Sequence, residues 1–193
     1  MTKEQFDVVD LNDRPTGQLI TKEAAHRTGA PHRVAAVFVF DDNRNLLLQV
    51  HEGHGGQLDH TVGGHVSSGE DYKTAAVREM KEEVGLEVSL EVVELHVMSD
   101  ERFEGYNYFH FFGIFEAKAD KNWQFVPHDE VKQLILMKLE AVVARMKKDP
   151  DKFTRGFINT LDAYLKAKKL PYAIDKRSLL KDRKGPWAEF IIN

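Results

Sequence analysis

The segment from Gly64 to Leu86, GHVSSGEDYKTAAVREMKEEVGL, constrains this chain more than any other. Good helix formers run from Tyr72 to Val84, Gly85 stops them, and Ser67, Ser68 and Gly69 supply capping chemistry ahead of them. At about 100° per residue, Glu79, Glu82 and Glu83 share one face of that helix, while Val77, Met80 and Val84 are expected to face a core. Three carboxylates this close repel one another, and Arg78 is the cation near enough in sequence to relieve them. A divalent cation relieves them better, and oxygen-only donors suit Mg²⁺ or Mn²⁺. Gly63 and Gly64 read as a tight turn, where a backbone carbonyl offers a further ligand and a bound group can approach the backbone closely. The plainer alternative is a solvated acidic helix face.

Taken whole, the spacing G-x5-E-x7-R-E-U-x-E-E-x-G-U, with U apolar, is met at every fixed position. It resembles the signature of Nudix hydrolases, enzymes that cleave a diphosphate joined to another group. The resemblance implies an α/β/α sandwich and metal-assisted attack of water at phosphorus. It implies that Glu82 and Glu83 hold the metal, that Glu79 is a ligand or the base, and that Arg78 orients Glu79. It also implies that Glu70 ties loop to helix through Arg78, with the Gly63 carbonyl completing the site. Gly64 and His65 would then lie against the substrate phosphates, and Gly85 would end the helix.

Composition narrows the rest. A chain of 193 residues that is 42% hydrophobic can bury a core in a single domain. We divide it into an N-terminal β/α extension (1–32), a core (33–148) and a C-terminal helical segment with a tail (149–193). A net charge of −4 argues against nucleic acid, and no cysteine is present for disulfides, thiolate ligands or thiol nucleophiles. No apolar run is long enough for a membrane span, so a cytoplasmic enzyme of a small diphosphate is the expectation. The terminal additions offer a homodimer contact.

Along the chain, FDVV and the residues before Thr21 read as two strands about a turn, and KEAAHRTG as a short helix. Strands follow at Val34–Phe40 and LLLQV, then the loop HEGHGGQLDH, and after the motif EVSLEVVELHVM and YNYFHFFGIFEA flank a loop SDERFEG. LMKLEAVVARMKK and FTRGFINTLDAYLKAKKL read as helices, which makes the fold class mixed α/β with helices on both faces of a sheet. A further acidic ligand is expected from FVPHDEV, at Glu130 or Asp129, with Glu101 and Glu104 as rivals. Phe103, Tyr106 and Trp123 border loops and are candidates to stack on a substrate.

The stretches DVVDLNDRPTGQLITKEAAHRTGAPHRVAAVFVF and LDHTVGGHVSSGEDY are similar to one branch of the family, type I isopentenyl-diphosphate isomerases and their hydrolase-like relatives. The isomerases carry a cysteine where this chain has Gly63, metal-binding histidines that match His26, His32 and His65, and two glutamates that fall on Tyr108 and His110. Isomerisation needs an acid and a base on opposite faces of the substrate, so loss of the cysteine favours the hydrolase relatives. His26, His32 and His65 remain candidates for a second metal site suited to Zn²⁺ or Mn²⁺. The rival classes are an isomerase and a non-catalytic nucleotide-binding module.

Overall fold

A strand in which nearly every side chain is apolar needs cover on both faces, and His32–Phe40 (β3) is such a strand, at the centre of a mixed sheet. A computed structural model describes residues 4–51, 55–103, 105–127, 131–175 and 179. The N-terminal extension forms a two-stranded antiparallel ribbon, Phe6–Val9 (β1) with Pro15–Ile20 (β2), and a short helix, Lys22–Thr28 (α1). Thr21 caps that helix and Gly29, at φ 76°, closes it.

The sheet runs Gln57–Asp59 (β5), Asn45–His51 (β4), β3, Tyr106–Lys118 (β8) and Glu91–Phe103 (β7). Val62–His65 (β6) pairs with β3, and Leu134–Lys138 (β9) pairs with β4. β3 and β8 are parallel; the other pairings are antiparallel. Alternation sorts the two faces. Val37, Val39, Phe115 and Ala117 pack on Tyr72, Ala76 and Met80 of the helix Tyr72–Val84 (α2). Phe38, Phe40 and Ile114 pack on Leu139–Lys148 (α3) and Arg155–Ala167 (α4), which are joined through a 3-10 turn at Pro150–Lys152. The result is the α/β/α sandwich.

Several expectations are corrected. Gly63 and Gly64 lie within β6 rather than in a turn, and the turn comes after them, where Gly69 has φ 84°. Asp71 caps α2 by accepting from Thr74 N at 2.7 Å; Ser67 and Ser68 instead meet Glu70 and the N-terminal segment. Val77 is 50% exposed, because the inward stripe runs through Tyr72, Ala75, Ala76, Met80 and Val84. SDERF belongs to β7, where antiparallel pairing with β8 continues to Phe103 opposite Tyr106. LMK is the end of β9, paired with β4, and the helix begins only at Leu139.

The N-terminal ribbon is fastened to the core at Asp13, a buried carboxylate in left-handed backbone. Arg33 Nε donates to it at 2.6 Å and Tyr72 Oη at 2.7 Å, and His96 also contacts it. The C-terminal segment is fastened at β5, where Thr154 N donates to Leu58 O at 3.1 Å.

Candidate active site

The motif side chains converge at the outer edge of β6. A cavity of about 770 Å³ is lined by Glu79, Glu82 and Glu83 of α2, by Arg78 and Glu70, and by Gly63, Gly64 and His65 of β6. Arg78 organises them. Its Nε and Nη2 hold both oxygens of Glu70 at 3.0 and 2.9 Å, its Nη1 reaches Glu79 at 2.7 Å and Glu82 at 3.1 Å, and Nη2 also donates to the His65 carbonyl at 3.0 Å. One planar guanidinium therefore fixes the loop, the strand and two of the three acidic side chains. Gly63 N–H donates to Glu83 at 3.3 Å.

Gly64 is glycine because Glu79 needs its space: a Cβ there would lie 1.9 Å from Glu79 Cδ. Burial raises the Glu79 carboxyl above the ordinary glutamate value, against the pull of Arg78 and with help from Glu82 and Glu4. Hydrogen bonding to Arg78 lowers Glu70. The two carboxylates on one arginine thus take different characters. Glu70 is lowered by its arginine partner, whereas Glu79 is raised by burial.

A second cavity of about 250 Å³ adjoins the first, and the two share Lys22, His51, Gly63 and His65. His26, His65 and His110 line its wall and the fully buried His32 joins them, with one ring nitrogen from each of the four within 4.8 Å of the others. His26 Nε2 lies 3.2 Å from His65 Nε2 and 3.3 Å from His110 Nε2. A single ring proton on His26 can satisfy only one of those contacts. His32 Nε2 is buried with no hydrogen-bond partner in the structure, while its Nδ1 lies 2.8 Å from the Ala30 carbonyl. Burial holds His32 down at about 4, and burial together with neighbouring imidazoles pushes His65 and His110 well below the ordinary histidine value. All three are neutral near pH 7, the state a metal ligand requires.

His26, His32 and His65 were legible as candidates; His110 as a fourth donor was not. Tyr108, His110 and Phe112 alternate along β8, so one strand face delivers all three to the same cavity, and the β3–β8 register sets His32 opposite His110. Lys22 and the pair Asp59–His60 were also missed. His60 Nδ1 lies 2.6 Å from Asp59 and its Nε2 2.6 Å from Thr160 Oγ1. Burial opposes the shift, yet His60 beside it brings Asp59 down to about 2.

Other candidates lie elsewhere. Trp123 donates from Nε1 to the Val84 carbonyl at 3.1 Å and packs behind α2, lining neither cavity. Tyr106 is half exposed at the β7–β8 hairpin and lines neither cavity, although Tyr108 beside it lines the smaller one. Phe103 closes the same hairpin through its backbone, opposite Tyr106. Glu101 is buried on the wall of the smaller cavity and does not line the carboxylate cavity. Glu130, Asp129 and Glu104 lie outside the described residues.

Comparison with known proteins bears on the fold. A sequence profile of the NUDIX domain matches residues 30–157. An isopentenyl-diphosphate Delta-isomerase of Pectobacterium atrosepticum is 31% identical over 78% of this chain and 85% of its own length. A protein from Deinococcus radiodurans of known crystal structure is 25% identical, with a TM-score of 0.58 over 75% of this chain and 89% of that one. A NUDIX hydrolase of Nitrosomonas europaea, 20% identical over 72% of this chain and 90% of its own, shares the fold with a TM-score of 0.51.

Proposed function

Because this chain belongs to the Nudix family, we propose that it is a hydrolase that cleaves a diphosphate linkage by attack of water at phosphorus. The observation that carries this reading is the single cavity lined by Glu79, Glu82, Glu83 and Gly63, with Arg78 fixing the carboxylates and Gly64 leaving room for Glu79. The donor set is all oxygen, and it fits Mg²⁺ or Mn²⁺ held by the three glutamates and the Gly63 carbonyl. When bound, that ion neutralises the diphosphate and acidifies a water. Glu79, its carboxyl raised by burial, is the group best suited to accept the water's proton. The water oxygen then bonds to phosphorus, the anhydride P–O bond breaks, and its electron pair leaves on the departing phosphate. Arg78 is a positioning residue, and Lys22, at the junction of both cavities, is placed to meet a phosphate oxygen.

Two rivals are less well supported. The Pectobacterium relative is named an isomerase, but this chain has no cysteine and carries Gly63 at the matching position. A purely binding module has no need for the complete acidic set. Glu83→Gln tests the assignment: turnover is expected to fall at least about 100-fold with the circular dichroism spectrum unchanged. Near-normal turnover would remove Glu83 from the site.

We further propose that His26, His32, His65 and His110 hold a second divalent ion, with Zn²⁺ the best match to four neutral imidazoles. Tetrahedral nitrogen ligands at the usual zinc distance lie about 3.3 Å apart, close to the 3.2 and 3.3 Å seen around His26. Zn²⁺ is expected to raise the thermal midpoint of the wild type and not that of His110→Ala. An equal rise in both proteins argues against the cluster.

A further inference from the structure

The loop between β6 and α2 carries Glu70, and its backbone bonds trace how that residue is held. Ser67 O accepts from Glu70 N at 2.9 Å, which closes a tight turn over Ser68 and Gly69, with Gly69 at φ 84°. Such a turn uses the amide of its last residue and leaves its two central amides to find partners outside it. Those partners lie in the N-terminal extension: Ser68 N donates to the Gln5 carbonyl at 2.8 Å, and Gly69 N to Asp7 Oδ2 at 3.4 Å. The hydroxyls follow the same pattern. Ser68 Oγ donates to Asp7 Oδ1 at 3.0 Å, and Ser67 Oγ donates to Glu4, which also lines the carboxylate cavity. Both oxygens of Asp7 are thus engaged by two consecutive residues of one turn, and its charge strengthens each bond.

A clamp of this kind depends on its own anchorage, and β1 is firmly held. Phe6 is 1% exposed, and its ring stacks on that of His65 at 4.9 Å. Val9 packs on Phe109 and Phe111 and donates from N to the Pro31 carbonyl at 2.9 Å. Asp7 lies between these two anchors, so its carboxylate is presented by a fixed strand. Packing alone would secure the extension through Phe6 and Val9; it gives no reason for a carboxylate at Asp7 with both oxygens on the turn.

From the turn the bonds run on into the site. Ser67 N donates to Glu70 Oε2 at 3.0 Å, the oxygen that Arg78 Nη2 also holds, and Arg78 Nη1 reaches Glu79 and Glu82. A displaced turn shifts Glu70, and with it the guanidinium that sets those two carboxylates. We infer that Asp7 is a positioning residue: through the Ser68–Gly69 turn, Glu70 and Arg78, the N-terminal extension sets where Glu79 stands.

This inference rests on the diphosphate-hydrolase reading, and two readouts keep the two apart. The first needs no substrate. Amide exchange at Gly69 is expected to run several-fold faster in Asp7→Ala than in the wild type, with the β3 amides unchanged; equal exchange in both proteins overturns the clamp. The second is turnover of a nucleoside 5′-diphosphate with Mg²⁺. Asp7→Ala is expected to lower kcat about 10-fold with KM little changed, and Asp7→Asn, which keeps an oxygen for the Ser68 hydroxyl, to recover most of that loss. Ser68→Ala removes the hydroxyl with Asp7 in place and is expected to share the fall in kcat. Wild-type kcat in both alanine variants, whatever happens to their thermal midpoints, overturns the positioning role. A wild type that releases phosphate from no diphosphate overturns the hydrolase reading and with it the part of Asp7 in turnover, while exchange at Gly69 still decides the clamp.

Discussion

Gly64 has no side chain because Glu79 occupies the space one would take, with Glu79 Cδ 1.9 Å from an ideal Cβ. Gly64→Ala is therefore expected to push Glu79 out of line and to cost roughly 100-fold in kcat, with little change in thermal midpoint, since the displaced carboxylate borders an open cavity. Full activity in that variant would show that the position of Glu79 is unimportant. Arg78→Lys makes a related demand: a point charge cannot hold Glu70 with two parallel bonds while reaching Glu79. It is expected to lower kcat more than it raises KM, because the bonds Arg78 makes are to Glu70, Glu79, Glu82 and the His65 carbonyl. A change confined to KM would contradict that role. That these side chains gather in one place was legible in the sequence because they sit within one helix and the strand before it. The reason for Gly64 was not, since close approach to Glu79 exists only after folding.

The ends of α2 follow from local chemistry, and so the sequence located the helix well at Tyr72–Val84. Its inward stripe depends instead on what it packs against. Tyr72 lies over Gly113 of β8, where a Cβ would be 2.6 Å from Tyr72 Cδ1. Gly113→Ala is expected to destabilise the fold by about 1–3 kcal/mol through overpacking, read as a lower urea midpoint. Unchanged stability would mean that the ring moves aside freely. The last three residues of β9 were read as helix for a comparable reason: LMK has good helix propensity, but backbone pairing with β4 prevails. Local preference decided where partners were local, and tertiary partners overrode it where they were not.

Both terminal segments converge on one place: α1 brings Lys22 and His26, and α4 brings Thr154 and Gly156. The motif therefore announced the carboxylate end of the site, whereas the other end is assembled from positions more than a hundred residues apart in the chain, Lys22 and Thr154 among them. His110 shows the same limit, since its role comes from the β3–β8 register. The buried imidazoles also make the metal-free protein acid-sensitive. His32 stays neutral in the fold down to about 4, against about 6.5 in an unfolded chain, so between those values the unfolded state binds more protons. Stability is then full above about pH 6.5 and falls as pH drops toward 4, by about 1.4 kcal/mol per unit of pKa difference. In chelator, the urea midpoint should decline steadily from about pH 7 to about pH 5; a flat profile would mean that the cluster is already open to water.

The most direct measurement follows the oxygen. A nucleoside 5′-diphosphate is turned over with Mg²⁺ in water enriched in the heavy oxygen isotope, and the products are weighed by mass spectrometry. The label is expected in a phosphate group of one product, absent from the sugar carbon, and lost with turnover in Glu83→Gln. Label on carbon, or an allylic isomer formed from isopentenyl diphosphate with no labelled phosphate, would contradict attack at phosphorus by a water held beside Glu79.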